Sequence, residues 1–323
     1  MKRMAWFIAI SGLACALSLE LVSGGRAAAF IAGAEPFAVT LALTIGLAAT
    51  CFAFGLATGD CSWVDRLWSV APVVFAWIYA ARGGFGPRAS TAALIVTLWG
   101  IRLTANFARR GGYTGTEDYR WSALRERIPS PLVWQAFNAA FICSGQLGVI
   151  TLFSAPIGLF AAPSRDFGAA FAASALLPLF FLAYETAADR EQWKFQLRKG
   201  ASLAARAAGA DLAEDADRTE DAEAEAGFRS SGLFRLSRHP AYFGELGFWW
   251  SLYLIGAAGS GSLVNWRAVG PIALTAIFAG STRFTESLSA GKYPAYADYR
   301  ASTSAIIPWF PGRRRIHVAR QVP

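Results

Sequence analysis

Long apolar segments separated by short polar loops recur along the chain and restrict the folds that it can adopt. Eight of them are candidate membrane-spanning helices: residues 6–23, 37–57, 68–81, 92–107, 134–160, 167–186, 241–258 and 269–281. A spanning helix needs about 20 apolar residues, because lipid offers the backbone no hydrogen-bond partners. Hydrophobic residues form 54% of the chain, more than is usual in soluble domains. The sequence predicts an all-α, polytopic membrane helix bundle of seven or eight transmembrane helices, since the third segment is short.

The distribution of Lys and Arg predicts how these helices are oriented. With both termini in the cytoplasm, five basic residues fall in outer loops, one falls inside a span and the others lie on the inner side. The outer five are Arg26, Arg82, Arg88, Arg165 and Arg267. Short cytoplasmic loops retain Lys and Arg preferentially. We therefore predict a multi-pass protein with both termini cytoplasmic, and the net charge of +8 needs no nucleic-acid partner to explain it.

Three regions follow from this pattern. Residues 1–58 carry N-terminal transmembrane helices, residues 59–311 form the main membrane domain, and residues 312–323 are a basic cytoplasmic tail. The acidic insertion, residues 203–227, has many carboxylates and no apolar face, which predicts a solvated loop, with nascent helix as an option, rather than a domain. A cleaved signal peptide at the N-terminus is the alternative to a first span.

The sequence gives little support for a metal site or for a glycine-rich phosphate-binding loop. The four cysteines, Cys15, Cys51, Cys61 and Cys143, form no CxxC pair, and the chain has only two His residues. We therefore expect no metal site. Neither GGFG at 83–86 nor GSG at 259–261 follows a strand-like run, so neither predicts a dinucleotide loop.

The densest polar cluster precedes a hydrophobic segment, in GLFRLSRHPAYFGE at residues 232–245. Pro240 near a helix start would place Arg238, Tyr242 and Glu245 on one helical face, with His239 beside them. Free amides at a helix N-terminus and the Arg235 and Arg238 guanidinium groups suit a phosphate. Anchoring to lipid headgroups is the alternative.

A row of hydrogen-bond acceptors ends the sixth segment. Glu185, Asp189, Gln192 and Gln196 follow spacings of four, three and four residues, which places them on one face of a helix. Such a row would accept hydrogen bonds from a ribose, an amide or an adenine edge. A solvated last helical turn is the alternative.

Two further groups lie at membrane borders. Arg102 lies inside a span and needs a buried acid, for which Asp65 is the first candidate; Glu117 lies in the following loop. Near the C-terminus, Arg283 and Glu286 share a helical face, and Tyr293, Tyr296 and Tyr299 follow. These tyrosines would cap a site or form an interfacial aromatic belt.

Residues 232–245, the acceptor row and the tail from YADYR to IIPWFP together resemble the bacterial branch of the steroid 5-alpha-reductase family. This branch is often catalogued only as a domain of unknown function. The resemblance runs from about Asp60 to Pro311, and the RHPxYxGE string is fairly specific for the wider superfamily. That superfamily contains NADPH-dependent sterol reductases, and also isoprenylcysteine and phospholipid methyltransferases that use S-adenosylmethionine.

The resemblance implies an NADPH site on the cytoplasmic side of a bacterial inner membrane. Glu185 and Asp189, with Gln192, would contact the nicotinamide and ribose. The second cofactor segment would hold Arg235, Arg238, His239, Tyr242 and Glu245. The cytoplasmic cover over the phosphates would hold Arg283, Tyr296 and Tyr299.

Two positions depart from the family pattern. Ala241 replaces an Asn of the cofactor segment, and Trp99, three residues before Arg102, stands where steroid reductases carry the Tyr that polarises the ketone. Indole is a poorer acid than phenol, so Asp65 or Glu117, protonated in an apolar setting, are the candidate catalytic residues.

The sequence thus predicts an integral membrane oxidoreductase that reduces an activated C=C bond in a steroid- or lipid-like substrate, with NADPH as cofactor. Expected partners are this small molecule and membrane lipids, with no nucleic acid and no obligate protein partner. An S-adenosylmethionine-dependent methyltransferase and a non-catalytic lipid-binding protein are the alternatives.

Overall fold

The computed structural model describes residues 2–115, 117–161, 168–207 and 218–311, and this part of the chain contains helices and no strands. The predicted all-α fold is confirmed there. The α-helices are α1 (Lys2–Ser23), α2 (Ala27–Gly33), α3 (Pro36–Thr58), α4 (Ala71–Arg82), α5 (Pro87–Arg109), α6 (Tyr119–Arg127), α7 (Pro131–Phe137), α8 (Gln146–Ser154), α9 (Ala169–Ser174), α10 (Leu176–Ala207), α11 (Arg218–Ala226), α12 (Pro240–Ser260), α13 (Val269–Lys292) and α14 (Tyr296–Ser302). A π-helical segment, Asn138–Gly145, joins α7 to α8. The basic tail at 312–323 lies outside the described residues.

Five helical stretches of the described chain are long and apolar enough to cross a membrane: Lys2–Ser23, Pro36–Thr58, Pro87–Arg109, Pro131–Ala161 and Ala169–Ala205. A sixth is reached if Cys61–Leu67 and Ala71–Arg82, which meet at a bend of 42°, count as one span. The predicted number of seven or eight spans is therefore not confirmed. Helices α12 and α13 occupy the seventh and eighth predicted positions, but neither is among these stretches.

The bent third segment has local causes. Helix α3 ends at Thr58, and the positive φ of 70° at the next residue, Gly59, is a conformation that favours glycine. Asp60 then accepts a hydrogen bond from the Ser62 amide and caps a 3-10 turn at Cys61–Trp63. Consecutive 3-10 turns at Cys61–Trp63 and Asp65–Leu67 tighten the backbone before α4 begins. The polar residues 59–66, which precede the short third segment, thus contain a capped turn.

The chain divides into two compact units, and unit 1 comprises Met1–Leu176 and Trp249–Leu274. Its core contains the fully buried indoles of Trp99 and Trp249, whose rings meet edge to face at 5.0 Å. Phe153 packs on Trp249 at 4.4 Å. Trp99, at the position where the resemblance expected a ketone-polarising Tyr, is therefore a buried core residue.

Unit 2 comprises Leu177–Phe248 and Thr275–Pro323. Within it, α10 and α12 approach closely at glycines. A Cβ on Gly244 would come within 2.7 Å of the Glu185 Cβ and 3.0 Å of its Cα, and one on Gly247 would overlap the Phe181 ring. Interiors have no room for such overlaps, so these glycines allow the face of α10 that carries Glu185 to pack against α12.

The acidic insertion differs from its prediction as a solvated loop. Residues 203–207 continue α10, residues 218–226 form α11, and Glu223 is only 5% exposed. The Glu223 carboxylate accepts hydrogen bonds from the Ser230 and Ser231 amides at 2.7 and 2.6 Å. These amides supply a partner that the sequence pattern did not show, so the carboxylate can be buried. Residues 208–217 lie outside the described part of the chain.

Candidate cofactor site

The predicted helix start at Pro240 is confirmed, because α12 begins at this residue. The prediction that Arg238 shares a helical face with Tyr242 and Glu245 was wrong, because Arg238 and His239 precede the helix. Their amides instead donate to the carbonyl oxygens of Ser304 and Ala305, at 2.8 and 3.0 Å. The segment before α12 is thus held in place by the chain after α14.

Arg238 forms a buried ion pair with Glu286 of α13. Its Nε lies 2.7 Å from Glu286 Oε1, and its Nη2 lies 3.1 Å from Glu286 Oε2. The remaining Nη1 donates to the carbonyl oxygens of Arg300 (2.8 Å) and Thr303. Bidentate geometry combined with main-chain acceptors is the strongest arrangement open to an arginine. This guanidinium group is therefore occupied by the protein, and it does not offer a free fork to a phosphate.

His239 and Tyr242 extend the ion pair along α12. The His239 Nε2 lies 3.1 Å from Glu286 Oε1, and its ring stacks on Tyr242 at 5.2 Å between centroids. Tyr242 in turn packs on Phe278, and its hydroxyl lies 3.4 Å from the Ser281 hydroxyl. These contacts join the start of α12 to α13.

Glu286 lies beyond the predicted eighth span. Burial alone would raise the pKa of its carboxyl, but the hydrogen bonds from His239 and Arg238 and the Arg238 charge outweigh it and lower that pKa to about 2. The ion pair is therefore present throughout the physiological pH range.

The acceptor row on α10 runs from a buried to an exposed environment. Glu185 and Asp189 are 4% and 8% exposed, Gln192 is half-buried and Gln196 is exposed. Glu185 packs against Gly244, the residue before Glu245, which is also buried. Helices α10 and α12 thus carry three buried carboxyl groups around their crossing. Carboxyl groups are rarely buried without a specific reason, which marks this crossing as a candidate site.

The predicted phosphate-covering residues have different environments. Arg235 and Arg283 are exposed, whereas Tyr296 and Tyr299 are buried and pack against Phe228 at 5.1 and 5.3 Å. The Tyr299 hydroxyl donates to the Phe234 carbonyl oxygen. Burial raises the pKa of both phenols, that of Tyr296 to about 12. Neither tyrosine is part of an exposed aromatic belt.

Asp65 and Glu117, the predicted catalytic carboxyl groups, both belong to unit 1. Asp65 accepts a hydrogen bond from Trp121 Nε1 at 3.1 Å. Glu117 accepts one from the Cys61 amide at 2.8 Å and pairs with Arg125 at 2.9 Å. Glu117 thus has both a main-chain amide and a guanidinium group as partners. The pairing of Arg102 with Asp65 stays a prediction; the buried ion pair of this segment joins Arg66 to Asp60 at 2.7 Å.

Sequence reasoning missed the roles of Glu286 and Glu223. Glu286 was noted only as sharing a face with Arg283, yet it is the carboxylate that binds Arg238, His239 and, at 3.5 Å, Arg300. The one local signal was the presence of a carboxylate shortly after the apolar segment 269–281. Nothing local indicated which cation it would meet.

Comparison with known proteins places the chain in a family. The family model described as "Protein of unknown function (DUF1295)" matches residues 51–303, so the chain belongs to this family. The chain is also 33% identical, over 317 residues, to the "Uncharacterized protein C594.04c" of Schizosaccharomyces pombe, an alignment that covers 95% of this chain and 90% of that protein. No solved structure matches. Because this relative is eukaryotic, its sequence does not tie the family to a bacterial membrane.

Proposed function

We propose that this protein is an integral membrane oxidoreductase that binds NADPH at the α10–α12 crossing of unit 2 and reduces an activated C=C bond in a steroid- or lipid-like substrate. The observation that carries this proposal is the set of three buried carboxyl groups, Glu185, Asp189 and Glu245, around Gly244. Carboxyl groups at this depth suit the hydroxyl and amide donors of a dinucleotide.

The residues around the crossing fit NADPH in part. Glu185 and Asp189 would hold the ribose and the nicotinamide amide, and the exposed Arg235 and Arg283 are suited to the phosphates. Arg238 does not fit a direct phosphate contact, because Glu286 and two main-chain carbonyl groups use its donors. Its role in the proposal is to hold the start of α12 against α13.

The chemistry divides between the cofactor and the chain. NADPH, when bound, supplies a hydride. The chain orients the nicotinamide through its carboxyl groups and must supply a proton to the reduced substrate. Asp65 and Glu117 stay the predicted donors: the Asp65 carboxyl group accepts a hydrogen bond from the Trp121 indole, and Glu117 forms an ion pair with Arg125.

Cofactor binding tests this proposal directly. We expect the full-length protein in detergent to bind NADPH in isothermal titration calorimetry, and Asp189→Asn to weaken that binding about tenfold because a charge-assisted hydrogen bond is lost. Glu126→Gln, which removes an exposed carboxylate from α6, is the matched control and should bind as the wild type does. Binding of S-adenosylmethionine in place of NADPH would assign the protein to the methyltransferases instead.

Of the seven or eight predicted spans, the proposal retains eight, because an odd number would not leave both termini of this multi-pass protein in the cytoplasm. Five spans would place the termini on opposite sides of the membrane, whereas six or eight place them on the same side. Reporter fusions at each terminus distinguish these cases, since a fluorescent protein and an exported phosphatase are active on opposite sides. Opposite signals from the two termini would reject the orientation.

A further inference from the structure

Unit 1 contains a cavity of about 520 Å³ that the proposed reductase does not use. Helix ends surround it: α3 begins at Pro36, α4 ends at Arg82, and α12 ends at Ser260. Asn265 and Arg267, just before α13, complete the lining with Glu35, Tyr79 and Gly158. Its volume lies in the range of small-molecule sites, about 300–1,000 Å³.

The polar lining of this cavity combines both signs of charge. Arg267 Nη2 lies 2.9 Å from Glu35 Oε1, and the other Glu35 oxygen accepts the Phe37 amide at 3.1 Å. Arg82 donates from both terminal nitrogens to the carbonyl oxygens of Ala32 and Ala34. Two arginines and one glutamate therefore border the cavity. Main-chain groups fix the side chains of Arg82 and Glu35 in place.

Two buried donors in the lining lack good protein partners. Tyr79 is fully buried, and its hydroxyl, although close to Thr40, makes no hydrogen bond of good geometry within the described part of the chain. Arg267 Nε is also buried and has no hydrogen-bond partner within the described part of the chain. A buried polar group without a hydrogen bond costs roughly 1–3 kcal/mol, which a ligand that accepts hydrogen bonds would recover.

Gly158 keeps the floor of the cavity open. A Cβ at this position would come within 3.0 Å of the Tyr79 ring and 3.6 Å of Arg267 Nε. A larger residue would therefore press on the Tyr79 ring, whereas its distance to Arg267 Nε would be an ordinary van der Waals contact. The glycine thus leaves room beside the Tyr79 ring at the edge of the cavity.

The rim of the cavity has the character of a membrane interface. Leu263, Val264 and Trp266 are exposed, Val264 by 92%. Internal hydrogen bonds hold this loop, among them Tyr253 Oη to the Leu263 carbonyl at 2.7 Å. Tryptophan and apolar side chains at a helix end are typical of the lipid headgroup region.

From this combination we propose that the cavity binds the headgroup of a zwitterionic phospholipid of the phosphoethanolamine class. Arg267 and the Tyr79 hydroxyl donate to the phosphate, and the exposed Glu35 carboxylate accepts from the ammonium group. The same carboxylate disfavours a headgroup that carries only negative charge. The lipid chains lie along the apolar rim.

Lipid titrations of the delipidated, full-length protein test this assignment by native mass spectrometry. We expect dioleoylphosphatidylethanolamine to bind several-fold more tightly than dioleoylphosphatidylglycerol, and Tyr79→Phe to weaken its binding about fivefold through one lost hydrogen bond. Tyr79→Phe keeps the ring, so the unfolding temperature without lipid should not fall. Arg26→Gln, which removes an exposed arginine outside the cavity lining, is the matched control.

Three outcomes would overturn the proposal. The first is equal binding of the ethanolamine lipid to the wild type and to Tyr79→Phe and Arg267→Gln. The second is a preference for dioleoylphosphatidylglycerol. The third is binding of soluble glycerophosphoethanolamine without binding of the lipid, which would assign the cavity to a soluble phosphodiester. None of these results depends on NADPH binding, so they leave the proposed reductase function untouched.

Discussion

Two arginine–glutamate pairs of this protein have opposite environments. Arg238 and Glu286 are 9% and 5% exposed in their side chains and form two parallel hydrogen bonds. Arg267 and Glu35 are 19% and 54% exposed and meet through a single contact beside a cavity. The first pair has its charges enclosed by protein, whereas the second lies in the lining of a cavity and includes an exposed carboxylate.

This difference in burial suggests different roles for the two pairs. The Arg238–Glu286 pair positions other residues, whereas the Arg267–Glu35 pair can exchange one partner for a ligand. Removing one member of an enclosed pair leaves a buried charge, which is costly. An exposed pair contributes little to stability, because water and salt screen it. A ligand can therefore compete for Arg267 but not for Arg238, although the sequence presents both as arginines at membrane borders.

The largest expected effect follows from Glu286→Gln. This change leaves the Arg238 guanidinium buried without its counter-charge and should lower the free energy of unfolding by about 3–5 kcal/mol. Thermal unfolding in detergent, followed by circular dichroism, measures the loss. Glu35→Gln is the matched control, and equal destabilisation by the two variants would remove the contrast between the pairs.

Acid should remove the same ion pair by protonation. The pKa of Glu286 falls from an ordinary value of 4.5 to about 2 in the folded protein. Its stabilisation is therefore complete above pH 4.5 and is lost as the pH falls towards 2. The unfolding temperatures of the wild type and Glu286→Gln should converge as the pH falls from 4.5 towards 2. A difference that stays constant with pH would show that the lost hydrogen bonds, and not the charge, cause the effect.

Packing at the α10–α12 crossing should be the next most sensitive feature. Gly244→Ala places a Cβ against the backbone of Glu185 and should destabilise unit 2 by about 1–3 kcal/mol. Gly148 of α8 has open space around the position of a Cβ, so Gly148→Ala should stabilise the protein by up to about 1 kcal/mol. Thermal unfolding of both variants measures the contrast. If Gly244→Ala does not lower the free energy of unfolding, the two helices can move apart without loss of stability.

The smallest effect on stability is expected at the exposed pair. Glu35→Gln should change the free energy of unfolding by no more than about 1 kcal/mol. It should, however, reduce the preference for phosphatidylethanolamine over phosphatidylglycerol, because the acceptor for the ammonium group loses its charge. Native mass spectrometry of both lipids on this variant measures the preference. An unchanged preference would show that Glu35 does not contact the headgroup.

Several features of the fold and the site follow from local pattern. The all-α fold, the start of α12 at Pro240 and the shared face of Glu185 and Asp189 were predicted, because each depends on spacing within one element. The burial of Glu223 was not predicted, because its partners, the Ser230 and Ser231 amides, are turn groups whose approach composition does not reveal. The number of spans was not confirmed, because hydropathy alone does not separate a buried helix from a spanning one.

The sequence by itself determined that this chain is helical, that it has several segments fit for a membrane and that its polar residues gather at their borders. Only the tertiary structure decided which of these residues are enclosed. Arg238 and Arg267 have the same chemistry, but one meets a carboxylate and two carbonyl groups from distant parts of the chain, and the other faces a cavity. Burial and pairing depend on contacts between residues remote in sequence, and local spacing does not reveal these contacts.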